Sequence, residues 1–268
     1  MRMDAVVLAG GRSSRLAGAD KAQLLYRGTS LLDRAIAAAI DAGARRIAIV
    51  GSDSLVPEHA DPGQLVFARE DPPFGGPAAG LAAGIAALDN AELNDAARHA
   101  EGQADAAAAL LLVLACDLPQ VARAVPSLLA ALPLSDGTDG VMLVDADERT
   151  QPLTAVYRWS SLHTAAADRR TRNDLDGLPM RRLIGALNLV TVAAPTGSTD
   201  DIDTPADAAR FGIALHTRGD TNARATGTTE QQERQTNRNN RPTGTRPRST
   251  PCPIDTMTTN CWKPGVPD

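Results

Sequence analysis

The chain has 268 residues, of which 43% are hydrophobic and 22% charged, and its formal net charge is -5. That is room for one large domain or two small ones, and it excludes collagen-like, fully disordered and disulfide-framework classes. With aromatics at 3% and an acidic balance, the chain offers neither the phosphate-neutralising surface nor the stacking platform of a protein that binds polymeric nucleic acid.

In chain order, short aliphatic runs alternate with alanine-rich amphipathic stretches. This is the pattern of βαβ units and predicts an α/β fold with a mostly parallel sheet. The predicted strands are Asp4–Leu8, Arg46–Val50, Leu65–Ala68, Ala109–Ala115, Gly140–Asp145, Leu153–Tyr157 and Leu189–Ala193. Ser30 is placed to cap a helix from Leu31 to about Ala42 that Gly43 closes, and Pro77 to open one through Leu88. Pro126 lies in a third helix, and Pro205 sits in the first turn of a fourth. Asp89–Ala108, rich in Ala, Asp and Glu, reads as a surface insertion. After His216 apolar periodicity stops, and residues 217–268 hold twelve Thr and six Pro. A low-complexity, disordered tail is expected there, behind a single domain over residues 1–216. No apolar run reaches the roughly 18 residues of a membrane span, and the first residues lack an export signal. A cytoplasmic protein without a membrane partner is expected. Cys116, Cys252 and Cys261 form no C-x-x-C pair, which argues against structural zinc and an oxidised framework.

The first strand runs into Gly10-Gly11, where backbone amides can approach an anion without hindrance from side chains. The spacing matches neither G-x-x-x-x-G-K-[ST] nor G-x-G-x-x-G, so a P-loop hydrolase and a dinucleotide oxidoreductase both lose support. Arg12, Arg15 and Lys21 gather three positive charges beside that turn, as a polyphosphate would require. Lys21 is one of only two lysines, the other being Lys263, in a chain that otherwise uses arginine. A compact ammonium is therefore needed at this position.

The continuously apolar run Leu111–Ala115 is a strand buried on both faces, and Asp117 emerges at its carboxyl end, where open α/β sheets place their ligand crevice. A carboxylate beside a triphosphate calls for a hard cation such as Mg²⁺; a helix N-cap is the other reading of Asp117. Arg69–Gly80 is a proline- and glycine-rich loop opening a helix of small residues, suited to a flat ligand lying against backbone. In Asp200–Pro205, Asp203 reads equally as a second metal ligand or, with Thr204, as a helix cap. Arg181 and Arg182 offer an anion clamp for an acceptor, or a solvated helix face. Cys116 reads as core packing, and none of His59, His99, His163 and His216 has a catalytic context.

The series Leu8-Ala9-Gly10-Gly11, Arg15, Gly18, Asp20-Lys21 and Leu31–Arg34 resembles the signature of the MobA-like nucleotidyltransferases. Glu70-Asp71 with Gly75-Gly76-Pro77, Cys116–Pro119, Gln151–Leu153 and Asp201–Pro205 extend the likeness over about residues 3–212. The branch it resembles most is the molybdenum cofactor guanylyltransferases. The resemblance implies a Rossmann-like three-layer α/β/α domain that transfers GMP from GTP to the phosphate of molybdopterin, releasing pyrophosphate with Mg²⁺. It further implies nucleotide contacts at Leu8, Ala9 and Gly10, a phosphate ligand in Lys21, a nucleoside contact at Asp71, and binding of nucleotide and Mg²⁺ by Asp117. Read from the residues themselves, Gly11 belongs to the same nucleotide loop, Arg15 would neutralise phosphate charge beside Lys21, Asp203 is the candidate second metal ligand, and Asp201 is a candidate acceptor contact. Where the well-known bacterial members carry asparagine after the second strand, this chain has Gly51, and aspartates replace their two asparagines before Thr204-Pro205. A cytidylyltransferase or another NTP transferase with a different phosphorylated acceptor, or a nucleotide-binding module without catalysis, stays open.

Overall fold

The structure is a computed structural model that describes residues 2–10, 16, 20–52, 55, 57–58, 61–98 and 109–215. The tail expected after His216 lies outside the described residues.

Among the described residues the strands are β1 (Met3–Leu8), β2 (Leu25–Tyr26), β3 (Thr29–Ser30), β4 (Ile47–Val50), β5 (Leu65–Ala68), β6 (Leu110–Ala115), β7 (Gly140–Val144), β8 (Thr150–Arg158) and β9 (Leu189–Ala193). The helices are α1 (Leu31–Asp41), α2 (Pro77–Arg98), α3 (Val121–Leu129), α4 (Trp159–Thr171), α5 (Met180–Leu183) and α6 (Pro205–Arg210). Seven strands form one sheet in the order β5-β4-β1-β6-β8-β7-β9. β8 alone runs antiparallel, pairing with β6 and β7, and the other pairings are parallel.

Helices cover both faces, giving three α/β/α layers. α1 and α3 bury Leu32, Ile36, Val125 and Leu128 against Val7, Ile49 and Leu112. On the other face α2, α4 and α5 bury Leu81, Ile85, Leu162 and Leu183 against Val6, Val50 and Val113. Alternation along β1 and β6 feeds both cores, so Leu111, Leu112, Val113 and Leu114 are all fully buried, each contributing about 1.5–3 kcal/mol of apolar burial. α2 lies close on the sheet because it presents Gly84 there; a Cβ at that position would meet Val6 Cγ1 at 2.8 Å.

Ser30 caps α1 as expected, its Oγ accepting the Asp33 N–H at 3.0 Å. The expected insertion at Asp89 is instead helical as far as Arg98, and residues 99–108 lie outside the described set. The β2–β3 hairpin and α4 were not expected from sequence, and α5 bears Arg181 and Arg182 on a helix, as one of their two readings had it. The hairpin turns through Arg27 and Gly28, both at positive φ (53° and 83°), the type I′ geometry that matches strand twist. α4 follows the antiparallel strand and buries only Leu162 and Ala166. Among the described residues no helix is long and apolar enough to cross a membrane.

Candidate active site

β1 and β6 are neighbours in register, Leu8 opposite Ala115, and the Cys116 N–H continues the ladder to the Leu8 carbonyl at 3.0 Å. From β1 the chain builds β4 and β5 on one side and from β6 the remaining strands on the other. The carboxyl ends of β1 and β6 thus meet at the switch point where such sheets bind ligands. A cavity of about 290 Å³ opens there, with Leu8, Gly10, Val50 and Gly80 in its walls and Lys21 and Asp117 both facing it. The Ala9 N–H is used by the sheet, donating to the Val50 carbonyl at 2.8 Å.

Lys21 begins a single 3₁₀ turn over Lys21–Gln23, fixed by Asp20, whose carboxylate accepts the Ala22 N–H at 3.1 Å. Ala22 is buried in the core beneath. The ammonium so placed lies 3.5 Å from Asp117 Oδ2 and hydrogen-bonds Asp203 Oδ1.

The loop bearing Asp203 is drawn to this point by its backbone. The Ile202 N–H donates to the Asp117 carbonyl at 3.1 Å. Ile202 is itself fully buried in a small cluster with Leu16, Leu24, Tyr26, Leu31, Ala208 and Ile213. With Ile202 turned inward, carboxylate oxygens of Asp201 and Asp203 lie within 4.8 Å of one another and of Asp117. The neighbours in this loop are placed differently. Thr204 caps α6, its Oγ accepting the Asp207 N–H while Asp207 bonds back to the Thr204 N–H, and Asp203 is left to face Lys21. Asp117 is no cap either, since α3 begins at Val121 behind Gln120.

One ammonium among three carboxylates leaves an excess of negative charge in a partly buried space. Burial pushes the Asp117 carboxyl above its ordinary range, the Lys21 ammonium opposes this, and the Asp203 charge adds to it. Asp201 is raised by burial and then by the charges of Asp117 and Asp203. Burial works to lower the Lys21 ammonium, but the bond to Asp203 and the two carboxylate charges outweigh it and the net shift is upward. Three hard oxygen donors this close, with charge unbalanced, make a donor set fitted to a small divalent cation.

The other expected positions separate. Gly11 and Arg15, with Arg12, lie outside the described residues. Asp71 is exposed and is not part of the cavity wall; its neighbour Glu70 and the ring of Phe74 are. Arg181 and Arg182 are exposed on α5 and line no part of the cavity, while Met180 and Leu183 of the same helix pack into the core. Asp201, expected toward the acceptor, stands in the acidic cluster. Cys116 is buried, and burial with the Asp117 and Asp20 charges pushes its thiol far up, as packing rather than nucleophilic attack requires. His163 pairs with Asp89 at 3.0 Å between α4 and α2; His59, His99 and His216 lie outside the described residues. Gly51 has no room for a side chain, because a Cβ there would meet Leu55 Cδ1 at 2.7 Å and the Ala9 carbonyl carbon at 3.1 Å.

Residues 5–187 match the MobA-like NTP transferase domain. The chain belongs to that family. The family is thus one of nucleotidyltransferases, and its glycine loop and Cys116-Asp117 segment both fall in the matched range. Among solved structures, the fold is similar to that of Rv0371c from Mycobacterium tuberculosis H37Rv, with 22% identity over 79% of this chain and 98% of that one, TM-score 0.56. It is similar to Francisella tularensis 2-C-methyl-D-erythritol 4-phosphate cytidylyltransferase, with 15% identity over 79% and 99% of the two chains, TM-score 0.57. Molybdopterin-guanine dinucleotide biosynthesis protein A from Archaeoglobus fulgidus shares 17% identity over 78% and 96%, TM-score 0.50. At these identities the likeness is one of fold. No curated protein sequence matches the chain significantly.

Proposed function

We propose that this member of the MobA-like family is a cytoplasmic Mg²⁺-dependent nucleotidyltransferase that moves GMP from GTP to the phosphate of molybdopterin. The observation carrying this reading is that Lys21 and Asp117, 96 residues apart, face one cavity beside Gly10, with Asp201 and Asp203 closing on the same point. The resemblance of Leu8-Ala9-Gly10-Gly11, Asp20-Lys21 and Cys116–Pro119 to the guanylyltransferase branch supports the choice of acceptor.

The reaction is an in-line displacement: an acceptor phosphate oxygen forms a bond to the α-phosphorus, the bond from that phosphorus to the bridging oxygen breaks, and pyrophosphate leaves with its electrons. No proton need move at the reacting atoms, so positioning and charge stabilisation carry the catalysis. Lys21 turns its ammonium to the phosphates, and Gly10 lets the nucleotide approach the backbone. Asp117, Asp203 and Asp201 would hold Mg²⁺, which supplies charge neutralisation on the phosphate oxygens. Arg15 adds positive charge from the glycine loop.

Incubation of the chain with Mg²⁺, molybdopterin and either GTP or CTP, followed by separation of products, tests the reading. A guanine dinucleotide and pyrophosphate are expected with GTP. Replacing Lys21 by Ala is expected to lower turnover about 100-fold or more while the melting curve stays cooperative. Absence of any dinucleotide, or a Lys21→Ala variant as active as the parent, overturns it.

A further inference from the structure

The cavity has one wall that neither the phosphate chemistry nor the acidic cluster uses. It is made by the loop after β5, and its two side chains facing the cavity differ in kind, a carboxylate and an aromatic ring. Glu70 Oε1 accepts the Phe74 N–H at 3.2 Å and stands 3.9 Å from the point where a Cβ on Gly10 would lie. The carboxylate therefore lies beside the glycine loop in the cavity wall. Among the described residues no lysine or arginine pairs with it.

Phe74 is held at φ 67°, a conformation that bulky L-residues avoid, and the residue, which lines the cavity, is 55% exposed. The loop is shaped so that this can persist. Gly75 is buried, with Ala79 Cβ 2.9 Å from where its own Cβ would be, and Gly76 takes φ 89°. A ring presented in an unfavourable backbone state, in a chain with three phenylalanines, at the edge of a cavity floored by Leu8, Val50 and Gly80, makes a stacking surface for a flat heterocycle.

A base stacked there turns its polar edge to Glu70, and a carboxylate can only accept. Guanine offers two adjacent donors on one edge, N1–H and the N2 amino group. Cytosine and adenine each set one amino donor beside a ring nitrogen acceptor, and uracil has a single N–H between two carbonyl oxygens. Only guanine meets the two oxygens of a carboxylate without opposing a lone pair to one of them. We propose that Glu70 is the residue that selects the base, reading the donor edge of a guanine that stacks on Phe74. This inference rests on the nucleotidyltransferase reading above and assigns the base specificity of the same site to a side chain.

Equilibrium titration of the full chain with GTP or CTP in the presence of Mg²⁺ tests it without any acceptor. The parent chain is expected to bind GTP more tightly than CTP. In a Glu70→Gln variant, whose amide sets a donor against the guanine edge, GTP affinity is expected to fall about tenfold or more while CTP affinity changes little. Phe74→Ala is expected to weaken both nucleotides alike. Unchanged GTP affinity in Glu70→Gln, or a parent that does not prefer GTP, overturns the role of Glu70 while leaving nucleotidyl transfer standing. If the parent binds neither nucleotide, the reading beneath it falls as well. Circular dichroism melting of each variant separates a lost contact from a lost fold.

Discussion

At the scale of single residues, Lys21 determines the electrostatic state of the site. Its ammonium bridges Asp117 and Asp203, two of the three carboxylates whose oxygens come within 4.8 Å of one another. It occupies, in effect, the position of a counter-ion. A divalent cation entering without nucleotide must displace it, whereas a cation arriving with a triphosphate gives the ammonium a new anionic partner. Replacing Lys21 by Met, which keeps the stem and removes the charge, should therefore strengthen Mn²⁺ binding to the nucleotide-free chain several-fold and weaken GTP binding at the same time. Mn²⁺ electron paramagnetic resonance titration reads the first effect, and unchanged or weaker Mn²⁺ affinity would show that the ammonium does not compete for the site. The lysine was conspicuous in the sequence because arginine serves elsewhere. Its partner Asp203 was not, because a carboxylate before a Thr-Pro helix start serves as well for capping.

At the scale of elements, the acidic loop owes its position to burial of an apolar residue. Ile202 is fully buried between two carboxylates, and its N–H is tied to the Asp117 carbonyl. Thr204 and Asp207 fix the helix that follows through reciprocal hydrogen bonds. Removing the side chain in Ile202→Ala is expected to cost about 2–5 kcal/mol of stability. It should also weaken divalent-cation binding, although no carboxylate is altered. Denaturant unfolding and Mn²⁺ titration on the same variant check both, and a loss of stability with cation affinity intact would show that Asp201 and Asp203 are positioned by something else. The small residues of α2 divide between two tasks that sequence pattern leaves merged. Gly80 lines the cavity, whereas Gly84 is pressed against Val6 and Val50 and serves helix-to-sheet packing. α4 escaped notice for a related reason. It is polar around most of its circumference, so no apolar stripe marks it, and it is stabilised by where β8 delivers the chain.

At the scale of the whole molecule, the charges of the site make stability depend on pH. Asp117 and Asp201 have folded-state values raised above the ordinary 3.8, so the native chain binds their protons more readily than the unfolded chain does. Their contribution to stability is then lost as pH rises from that ordinary value through the raised ones. Lys21 acts in the other direction of charge: its contribution is complete below 10.5 and is lost only above it. As pH rises above the ordinary carboxylate value the acid cluster is therefore a growing cost that a bound cation would offset, and protonated carboxylates cannot ligate one. Added Mg²⁺ is expected to raise Tm by a few degrees near pH 8 and by less as pH falls toward the ordinary carboxylate range. Differential scanning calorimetry across that range checks it, and an increment independent of pH would contradict the cluster as the cation site.

Sequence by itself determined the layered α/β class, six of the seven main strands to within a residue, and the chemical groups on which the site depends. It could do so because strand burial on both faces and helix capping are written in local patterns of apolar and polar residues. Only the tertiary structure decided that β8 runs against its neighbours, that Glu70 rather than Asp71 reaches the cavity, and that Asp201 and Asp203 close on Asp117 and Lys21. Those outcomes depend on strand order and on contacts spanning up to 182 residues, and local periodicity holds no information about which distant side chains the folded chain brings within reach of one another.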